Sequence, residues 1–567
     1  MLSYRKLAMR VLGRPLHTGG IDSPRPASQR AAAFALTAAM LITLTAPAFA
    51  GTWYIENGDI TVKASGTEGK NTVSQGNKKD VEDTNTIITN QKTDTASSHT
   101  VTIDAGNDKV EVTLKDVNIK ADSGSALTSK GDVTLTLKGD NHLTGGDGNG
   151  NGSKSISSSG SLTITGGEKD SLTAQGGSSG NGGSGISSNG SLTISGGTVN
   201  ATGCNGSSGI ISNYITISGG TVNATGGNGI WSDGVTTISG GTVNATGGDG
   251  SYGGDGIIST GVTISGGTLN AKGGNGKDGY GGDGIRSSSG GVTISGGTVN
   301  ATGGNSTGSD GSGGNGISST STTISGGTVT ANGGNGGKNG SDSEGGNGII
   351  SFDHVAISGG TVNAAGGNGN GDNGVINNGI ISSVIDLSGS LELTAKAGSP
   401  NGKALSRAGS ELELDTIKDK LDPGAKVTAT DANGETKQVS IPRPVEPEKP
   451  VIPEESSSSS DGGSAAPSAP VSSLPGLTVT DKSGAVISYT STQSGNTLTV
   501  CVGRFTASLH VSLAALRQLR AEGIETIAFQ TVLCSTTLSV DELLAMGGED
   551  AEAVLTHRLT DSSLTVG

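Results

Sequence analysis

The chain has 567 residues, of which 101 are glycine, while aromatic residues make up 2% and hydrophobic residues 31%. Globular enzymes of this length are about half apolar, so a large core built on aromatic and long aliphatic side chains is excluded. A collagen triple helix is also excluded, because glycine does not recur at every third position and the chain has only 14 prolines. The formal net charge of −15 repels phosphate backbones, so we expect no nucleic-acid partner.

Residues 1–50 have the pattern of a secretory signal peptide. A basic stretch ends at Arg30, an apolar run covers residues 31–46, and Ala48-Phe49-Ala50 provides the small residues that a signal peptidase requires. A membrane anchor is the alternative, but the run is shorter than the roughly 20 residues of a membrane-spanning helix. We therefore predict cleavage after Ala50. The expected product is extracellular, free or associated with the cell surface, and has no transmembrane anchor.

One motif recurs from residue 161 onward, and TISGGTVNATGG is its most regular form. The aliphatic residues that anchor each copy are separated by 21 to 33 positions, which is typical of a solenoid. These anchoring residues are Ile164, Ile194, Ile217, Ile238, Ile264, Ile294, Ile324, Ile357 and Leu387.

Each copy contains three short pieces in which apolar and polar residues alternate, as in strands with one buried face. In the shortest copy, Gly240-Gly241 and Gly247-Gly248 follow two of these pieces and permit sharp corners. Residues 51–398 contain no proline, which suits continuous hydrogen bonding between coils. The pattern predicts an all-β fold, a parallel β-helix of eleven or twelve coils around a thin aliphatic column.

The copies differ in length at one corner only. The corner is shortest at Gly226-Gly227-Asn228-Gly229-Ile230 and longest over residues 333–349. Insertions that stack at one corner of a solenoid usually form a binding face. We expect the ligand to bind there.

Several segments carry a family resemblance: GTWYIENGDITVKASG, ADSGSALTSKGDVTLTLKGDNHLTGG, SLTITGGEKDSLTAQGG and the repeated TISGGTVNATGG. Over about residues 51–398 the chain resembles secreted bacterial right-handed parallel β-helix proteins of the carbohydrate-binding type, within the pectate-lyase-like superfamily. The resemblance implies a right-handed β-helix that binds plant polysaccharide and holds calcium in the helix.

Three further segments follow the repeats. Residues 399–440 lose the repeat and are predicted to cap the stack, so that the β-helix domain covers residues 51–440. Residues 441–475 are rich in proline and serine and are predicted to form an extended linker. Residues 476–567 alternate strand and helix patterns, including a helix after Ser512, and are predicted to form a small α+β domain. There Cys501 and Cys534 either form a disulfide, which export would permit, or remain unpaired.

Catalytic residues are not evident in the repeats. The basic residues Lys272, Lys277, Arg286 and Lys338 are scattered over different coils, and His142 and His354 lie far apart. Charged residues in loops are usually solvated. We therefore expect that the protein is not an enzyme.

Calcium is the one candidate cofactor. Gly273 to Tyr280, with Asp278 at the sixth position, matches a calcium-binding nonapeptide, but neighbouring copies lack the aspartate and a chance match is the alternative. A site of the kind that the family resemblance implies would instead use loop carboxylates such as Asp116, Asp122 or Asp140.

Aromatic residues cluster near the variable corner. Trp231, Tyr252 and Tyr280 lie at or beside it on successive copies, and Tyr214 is near. Sugars bind to aromatic faces and a few polar groups, so these four residues are the candidate ligand site. The alternative is that they shield the backbone of the corner.

A ladder of Thr and Asn, such as Thr242 and Asn244, is expected to stack between coils. The alternative is that this flat polar face contacts polysaccharide or ice. Together these patterns favour an exported, monomeric, non-catalytic protein that binds a polysaccharide or cell-surface glycan. A structural or adhesive stalk whose C-terminal domain contacts a partner is the alternative, and a polysaccharide lyase is a third.

Overall fold

The structure is a computed structural model. It describes residues 51–67, 69–148, 152–337, 343–369, 377–443, 476–481, 485–487, 489–494, 496–502, 504, 506–531, 535–546, 552–557 and 562–566. The predicted signal peptide and all but three residues of the predicted linker lie outside this part of the chain. Contacts between Cα atoms divide the chain into two units, residues 1–447 and 448–567. None of the described helices has the length and apolar character that crossing a membrane requires.

The first unit is a right-handed parallel β-helix, as predicted, and its larger sheet, sheet A, has twenty described strands. Between residues 101 and 407 each coil pairs in parallel with the next, so that Ile217 lies between Ile194 and Ile238. The strands of sheet A are Thr52–Tyr54, Ile60–Ala64, Asn71–Gln75, Lys78–Asp83, Thr86–Thr89, Val101–Lys115, Leu127–Lys138, Ile156–Ser158, Leu162–Gly166, Ile186–Ile194, Ile210–Ile217, Ile230–Ile238, Ile257–Ile264, Ile285–Ser287, Gly291–Ile294, Ile317–Ile324, Ile349–Ile357, Ile380–Leu387, Leu405–Arg407 and Ser410–Glu411.

Sheet B covers a further face of the same unit with thirteen described strands, twelve of which are parallel. With about 4.8 Å between neighbouring strands, twelve coils make a rod of about 50 Å. The strands of sheet B are Asn118–Lys120, Asp140–Thr144, Ser171–Gln175, Thr198–Thr202, Thr221–Gly226, Thr242–Gly247, Thr268–Lys272, Thr298–Thr302, Thr328–Asn332, Thr361–Ala365, Glu392–Lys396, Lys426–Thr430 and Thr436–Ser440.

The corner within sheet A differs from the expectation of three separate strands per coil. In most coils the first two pieces form one bent strand, such as Ile210–Ile217, and the register shifts after Ser212. There Ser212 Oγ donates a 3.0 Å hydrogen bond to the carbonyl oxygen of Tyr214. The same bond runs from Ser259 to Gly261 at 2.8 Å. A buried serine, rather than a glycine pair, therefore makes this corner.

The corner between the two sheets is made by Ser-Gly-Gly, and its second glycine has a positive φ. At Gly241 φ is 75°, and a Cβ there would lie 2.5 Å from the carbonyl oxygen of Gly220. Only glycine adopts this conformation at low cost with the backbone of the previous coil so close. The repeated SGG is thus required by the corner.

The core is a column of aliphatic side chains stacked coil upon coil. Sheet A contributes two isoleucine positions per coil and sheet B contributes Val or Leu followed by Ala, which the alternation of each strand directs inward. Fully buried members include Ile230, Ile238, Val243, Ala245, Ile257, Ile264, Leu269, Ile285, Ile294, Val299 and Ala301.

The C-terminal end of the stack is closed by a strand of opposite direction. Thr436–Ser440 pairs antiparallel with Lys426–Thr430, and the 3-10 helix Leu414–Lys420 buries Leu414 and Ile417 against the core. A second 3-10 turn, Ile55–Asn57, lies at the other end. Covering a sheet edge in this way blocks further strand pairing.

The second unit has its own core, two four-stranded sheets and two helices, α1 (Leu513–Ala521) and α2 (Val540–Met546). Ser512 caps α1 as predicted, since its side chain accepts a hydrogen bond from the Ala515 N–H. Val486 makes an isolated bridge to Thr480, and the next strand begins at Thr490. The strands are Leu477–Thr480, Thr490–Ser494, Thr497–Cys501, Ala507–Ser512, Thr526–Gln530, Ser535–Ser539, Glu552–His557 and Ser562–Val566.

Candidate functional site

In six successive coils the variable corner ends on an Asn or Asp that is followed by Gly-Ile. We call these six residues the corner ladder: Asn228, Asp255, Asp283, Asn315, Asn347 and Asn378. The Oδ1 of each of the first five members accepts a hydrogen bond from the backbone N–H of the next member, at 2.6 to 3.0 Å. The Oδ1 of the sixth, Asn378, accepts from the backbone N–H of Lys403 at 2.9 Å. The ladder therefore ties the corner of each coil to that of the next.

Three asparagines of the corner ladder, Asn315, Asn347 and Asn378, make a second bond that the aspartates cannot make. Asn347 Nδ2 donates to Asn315 Oδ1 at 3.0 Å, and Asn315 Nδ2 donates to Asp283 Oδ1 at 2.9 Å. A carboxylate has no N–H to donate. Asp255 and Asp283 are nevertheless only 8% and 9% exposed, so two buried carboxyls occupy positions where an amide satisfies more of its hydrogen-bonding groups.

Burial changes the acidity of both carboxyls. It raises the pKa of Asp255 to about 7, and the negative charge of Asp283 acts in the same direction. Burial likewise raises the pKa of Asp283, against the hydrogen bonds from Asn315. Arg286 opposes both shifts, and its Nη1 lies 3.8 Å from Asp255 Oδ2. At pH 7 the carboxyl of Asp255 is therefore only partly ionised.

Two tyrosines lie beside these carboxyls, because the hexapeptide Tyr-Gly-Gly-Asp-Gly-Ile occurs in two consecutive coils, at 252–257 and 280–285. The rings of Tyr252 and Tyr280 are stacked, with centroids 6.3 Å apart and planes at 27°. They are 70% and 60% exposed. A Cβ at Gly282 would lie 1.9 Å from the carbonyl oxygen of Gly254, so glycine lets the two hexapeptides pack backbone against backbone.

An open groove of about 1000 Å³ runs over these coils and the two that follow. Tyr252 and Tyr280 lie at one end, and Phe352, which is 70% exposed, lines it as well. Its polar and aromatic lining residues include Tyr252, Asp255, Tyr280, Asp283, Arg286, Ser288, Asp310, Asn315, Ser318, Glu344, Asn347 and Phe352.

The four aromatic residues singled out from the sequence do not form one site. Tyr252 and Tyr280 come together, but neither Trp231 nor Tyr214 is among the residues that line the groove. Trp231 projects from the first part of a sheet A strand and donates its Nε1 to Asp233 Oδ1 at 3.2 Å. Tyr214 follows the serine corner, and its ring covers Gly234 of the next coil.

The proposed calcium ligands are dispersed. Asp116 Oδ1 accepts a hydrogen bond from the Asp140 backbone N–H at 3.2 Å, so these two lie close together. Asp122 is exposed in the turn after Asn118–Lys120, and Asp278 Oδ2 accepts a hydrogen bond from Ser251 at 2.9 Å. Within the described ranges no three His, Cys, Asp or Glu side chains are grouped so that they could hold a metal ion.

The predicted disulfide cannot be compared with the structure, because Cys534 lies outside the described residues. The thiol of Cys501 is 3.2 Å from Gln530 Oε1 and donates a hydrogen bond to it. The pairing of Cys501 with Cys534 stays a prediction. Cys204, which replaces a corner glycine, donates its thiol to the carbonyl oxygen of Gly176 at 3.2 Å.

The polar ladder of sheet B stacks as expected. The Nδ2 of each asparagine donates to the Oδ1 of the one before it at 2.7 to 2.8 Å, from Asn200 to Asn300. Thr330 interrupts this series before Asn363. The side chains thus satisfy one another between coils.

Sequence reasoning missed Asp255, Asp283, Arg286 and Phe352 as parts of a site. The available signal was the duplicated Tyr-Gly-Gly-Asp-Gly-Ile, which differs at two positions out of six from the Ser-Gly-Gly-Asn-Gly-Ile and Glu-Gly-Gly-Asn-Gly-Ile of the next two copies. A charged side chain in a glycine-rich loop is expected to be exposed to solvent. Only the stacking of coils shows that the carboxyls of Asp255 and Asp283 are buried.

Six segments of the chain match a family described as a beta helix repeat, at residues 192–210, 215–230, 237–257, 262–285, 292–317 and 323–349. They lie on successive coils of the first unit and include both copies of Tyr-Gly-Gly-Asp-Gly-Ile. The match supports a parallel β-helix family. No curated protein and no solved structure matches the chain.

Proposed function

We propose that the protein is exported and binds a polysaccharide or cell-surface glycan, without catalysis, in the groove beside Tyr252 and Tyr280. The observation that carries this proposal is the stacked tyrosine pair, whose rings stand largely exposed at the edge of a polar groove. Aromatic faces cover the apolar faces of sugar rings, while a few polar groups orient the hydroxyls. Arg286, Ser288 and Asn315 are such groups along the groove.

The shape of the groove suits a chain ligand. It extends from Tyr252 to Phe352 across successive coils, is open, and follows the rod. A polymer can lie in such a groove and continue past both of its ends. The expanded corners supply the lining residues Asp310 and Glu344, and insertions at one corner of a solenoid usually form a binding face, which supports the proposal.

Binding without catalysis is favoured by how the ionisable groups are held. One oxygen of Asp255 and one of Asp283 accept hydrogen bonds from the next coil, as the asparagines of the corner ladder do. His142 and His354, the two histidines of the repeats, lie on different sheets. We expect incubation with polysaccharides to release neither unsaturated products nor new reducing ends.

A glycan array probed with the full chain tests the proposal. We expect binding to at least one polysaccharide class, and at least a tenfold loss in the variants Tyr252→Ala and Tyr280→Ala. Tyr214→Ala removes an equally exposed tyrosine outside the groove and is expected to retain full affinity. Affinity that survives both groove substitutions but is lost with Tyr214→Ala or Trp231→Ala would contradict the proposal.

A surface stalk is the second candidate, because the C-terminal unit has a core of its own that a partner could meet independently of the β-helix. An array that detects no glycan, together with partner capture that depends on residues 476–567, would favour it. Repeating the array with calcium and with a chelator tests the calcium that the family resemblance implies. A requirement for calcium would direct attention to Asp116 and Asp140, the two candidate ligands that lie close together.

A further inference from the structure

The two aspartates of the corner ladder are not explained by the fold. Four other coils place asparagine at the same position, where its Oδ1 accepts the backbone bond from the next coil. Asparagine also donates an N–H between coils, at 3.0 to 3.1 Å in Asn347 and Asn378. Burying an ionised carboxyl at such a position lowers the stability of the fold unless the charge is paired and hydrogen-bonded.

Both aspartates occur in the two coils that also carry a tyrosine three residues earlier. In the next two coils the equivalent positions hold Ser312 and Asn315, and then Glu344 and Asn347. A coil that has the tyrosine also has the aspartate, and a coil without the tyrosine has asparagine instead. The two tyrosines and the two aspartates all line one groove. This coincidence associates the two carboxyls with the tyrosine pair of the groove.

Acidic side chains outnumber basic ones in the groove. Asp255, Asp283, Asp310 and Glu344 line it, and Arg286 is the one basic residue among its described lining residues. Arg286 lies 3.8 Å from Asp255 Oδ2, so part of its charge is already opposed. A ligand that carries carboxylates would be repelled here, whereas a cation would be attracted.

The aromatic rings of the groove also favour a cationic ligand. The exposed rings of Tyr252, Tyr280 and Phe352 line the groove, and the faces of aromatic rings attract ammonium groups. Tyr252, Tyr280, Asp255 and Asp283 line the same groove, so a sugar ring stacked on either tyrosine would lie in the groove that the two carboxyls line.

We propose that the groove selects glycans that carry free amino groups, with the sugar ring stacked on the tyrosine pair and its ammonium group facing the carboxyls of Asp255 and Asp283. This inference rests on the proposed glycan-binding function and specifies its ligand class. An ammonium group stabilises the ionised form of a neighbouring carboxyl. Binding therefore displaces a proton from the aspartate pair into solvent, and the proton balance is one or fewer released per ammonium bound.

Titration calorimetry of the full chain at pH 6 tests the inference, with a glucosamine hexamer, an N-acetylglucosamine hexamer and a galacturonic acid hexamer as probes. We expect the glucosamine hexamer to bind at least tenfold more tightly than the other two. Its binding enthalpy should change between buffers of different ionisation enthalpy, as proton release requires.

The informative variant is Asp255→Asn with Asp283→Asn. It should fold, because asparagine occupies the same position in neighbouring coils, and a thermal melt checks this. We expect it to lose at least tenfold in affinity for the glucosamine hexamer and to lose the buffer dependence. Asp233→Asn with Asp386→Asn makes the same substitution at two exposed sites outside the groove and should leave the affinity and the buffer dependence unchanged.

The outcomes separate this inference from the proposed function. Equal affinity for the glucosamine and N-acetylglucosamine hexamers, or a preference that survives in the aspartate variant, overturns the inference and leaves glycan binding intact. Failure to bind any glycan, on the array as well as in the calorimeter, overturns both.

Discussion

Coils of the corner ladder that hold aspartate and coils that hold asparagine share one backbone and differ in chemistry. At Asn315, Asn347 and Asn378 the amide both accepts and donates between coils. At Asp255 and Asp283 the same backbone bond is accepted by a buried carboxyl whose pKa is raised by that burial. The repeat therefore sets where the side chain lies, while the residue type decides whether the position only supports the stack or also carries an ionisable group.

The comparison also shows what a solenoid offers for building a site. A short peptide duplicated in adjacent coils places two identical side chains about 4.8 Å apart without a new fold. Tyr252 stacks on Tyr280 and Asp255 bonds to the Asp283 backbone for this reason. A site of this kind arises from repeat duplication followed by few substitutions.

The largest expected effect comes from turning the aspartate coils into asparagine coils, with Asp255→Asn and Asp283→Asn. The folded pKa of Asp255 is about 7, above its ordinary 3.8, so the wild-type protein loses stability as pH rises from 4 to 7. Since one pKa unit corresponds to about 1.4 kcal/mol, we expect the variant to be more stable by about 4 kcal/mol at pH 8 and equally stable at pH 4. Urea unfolding at both pH values measures this, and a difference independent of pH would contradict it.

The reciprocal change, Asn347→Asp, places a carboxyl in an asparagine coil. Asn347 is fully buried and donates to Asn315, and Ile350 stands where the register of sheet A places Arg286 two coils earlier. We expect a loss of about 3 kcal/mol at pH 8 that becomes smaller as pH falls. Asn368→Asp is the control at an exposed position and should change stability by less than about 0.5 kcal/mol.

Gly282→Ala tests whether the aspartate coils need the close approach of their backbones. The added Cβ would lie 1.9 Å from the carbonyl oxygen of Gly254, so the coils must separate locally. We expect a loss of about 2 kcal/mol in stability. At Gly261 the nearest atom would be 3.5 Å from the new Cβ, and Gly261→Ala should be almost neutral by the same urea measurement. Equal effects of the two substitutions would refute the steric explanation.

The smallest effect is expected on the polar ladder of sheet B, whose asparagines face outward. Asn244 donates to Asn223 at 2.7 Å and accepts from Asn270 at 2.8 Å, but it is half-buried rather than enclosed. We expect Asn244→Ala to cost about 1 kcal/mol, as for a partly solvated hydrogen bond. Thr246→Ala, two positions along the same strand, is the comparison. A loss as large as that of Asn347→Asp would show that exposure does not distinguish the two ladders.

The sequence predicted the architecture well because its signals are local and repeated. The spacing of Ile217, Ile238 and Ile264 and the recurring Ser-Gly-Gly identify coils and one corner without reference to distant residues. The corner at Ser212 was not predicted. Its turn is made by a buried side-chain hydrogen bond, and a serine within a strand pattern does not reveal such a bond.

The site was predicted in part. Tyr252 and Tyr280 belong to the same corner and could be grouped from the sequence, whereas Trp231 and Tyr214 project from sheet A and lie apart from the groove. Proximity along the chain does not say on which face of a coil a side chain projects when the coil length varies from 21 to 33 residues.

By itself the sequence determined that this protein is a parallel β-helix with one variable corner, because period, alternation and glycine pairs specify the path of the chain through each coil, while its right-handed sense was implied only by the family resemblance. Only the tertiary structure decided which side chains meet. Stacking brings residues about 30 positions apart into contact, and this is what buries Asp255 and Asp283, stacks two tyrosines and opens the groove beside them.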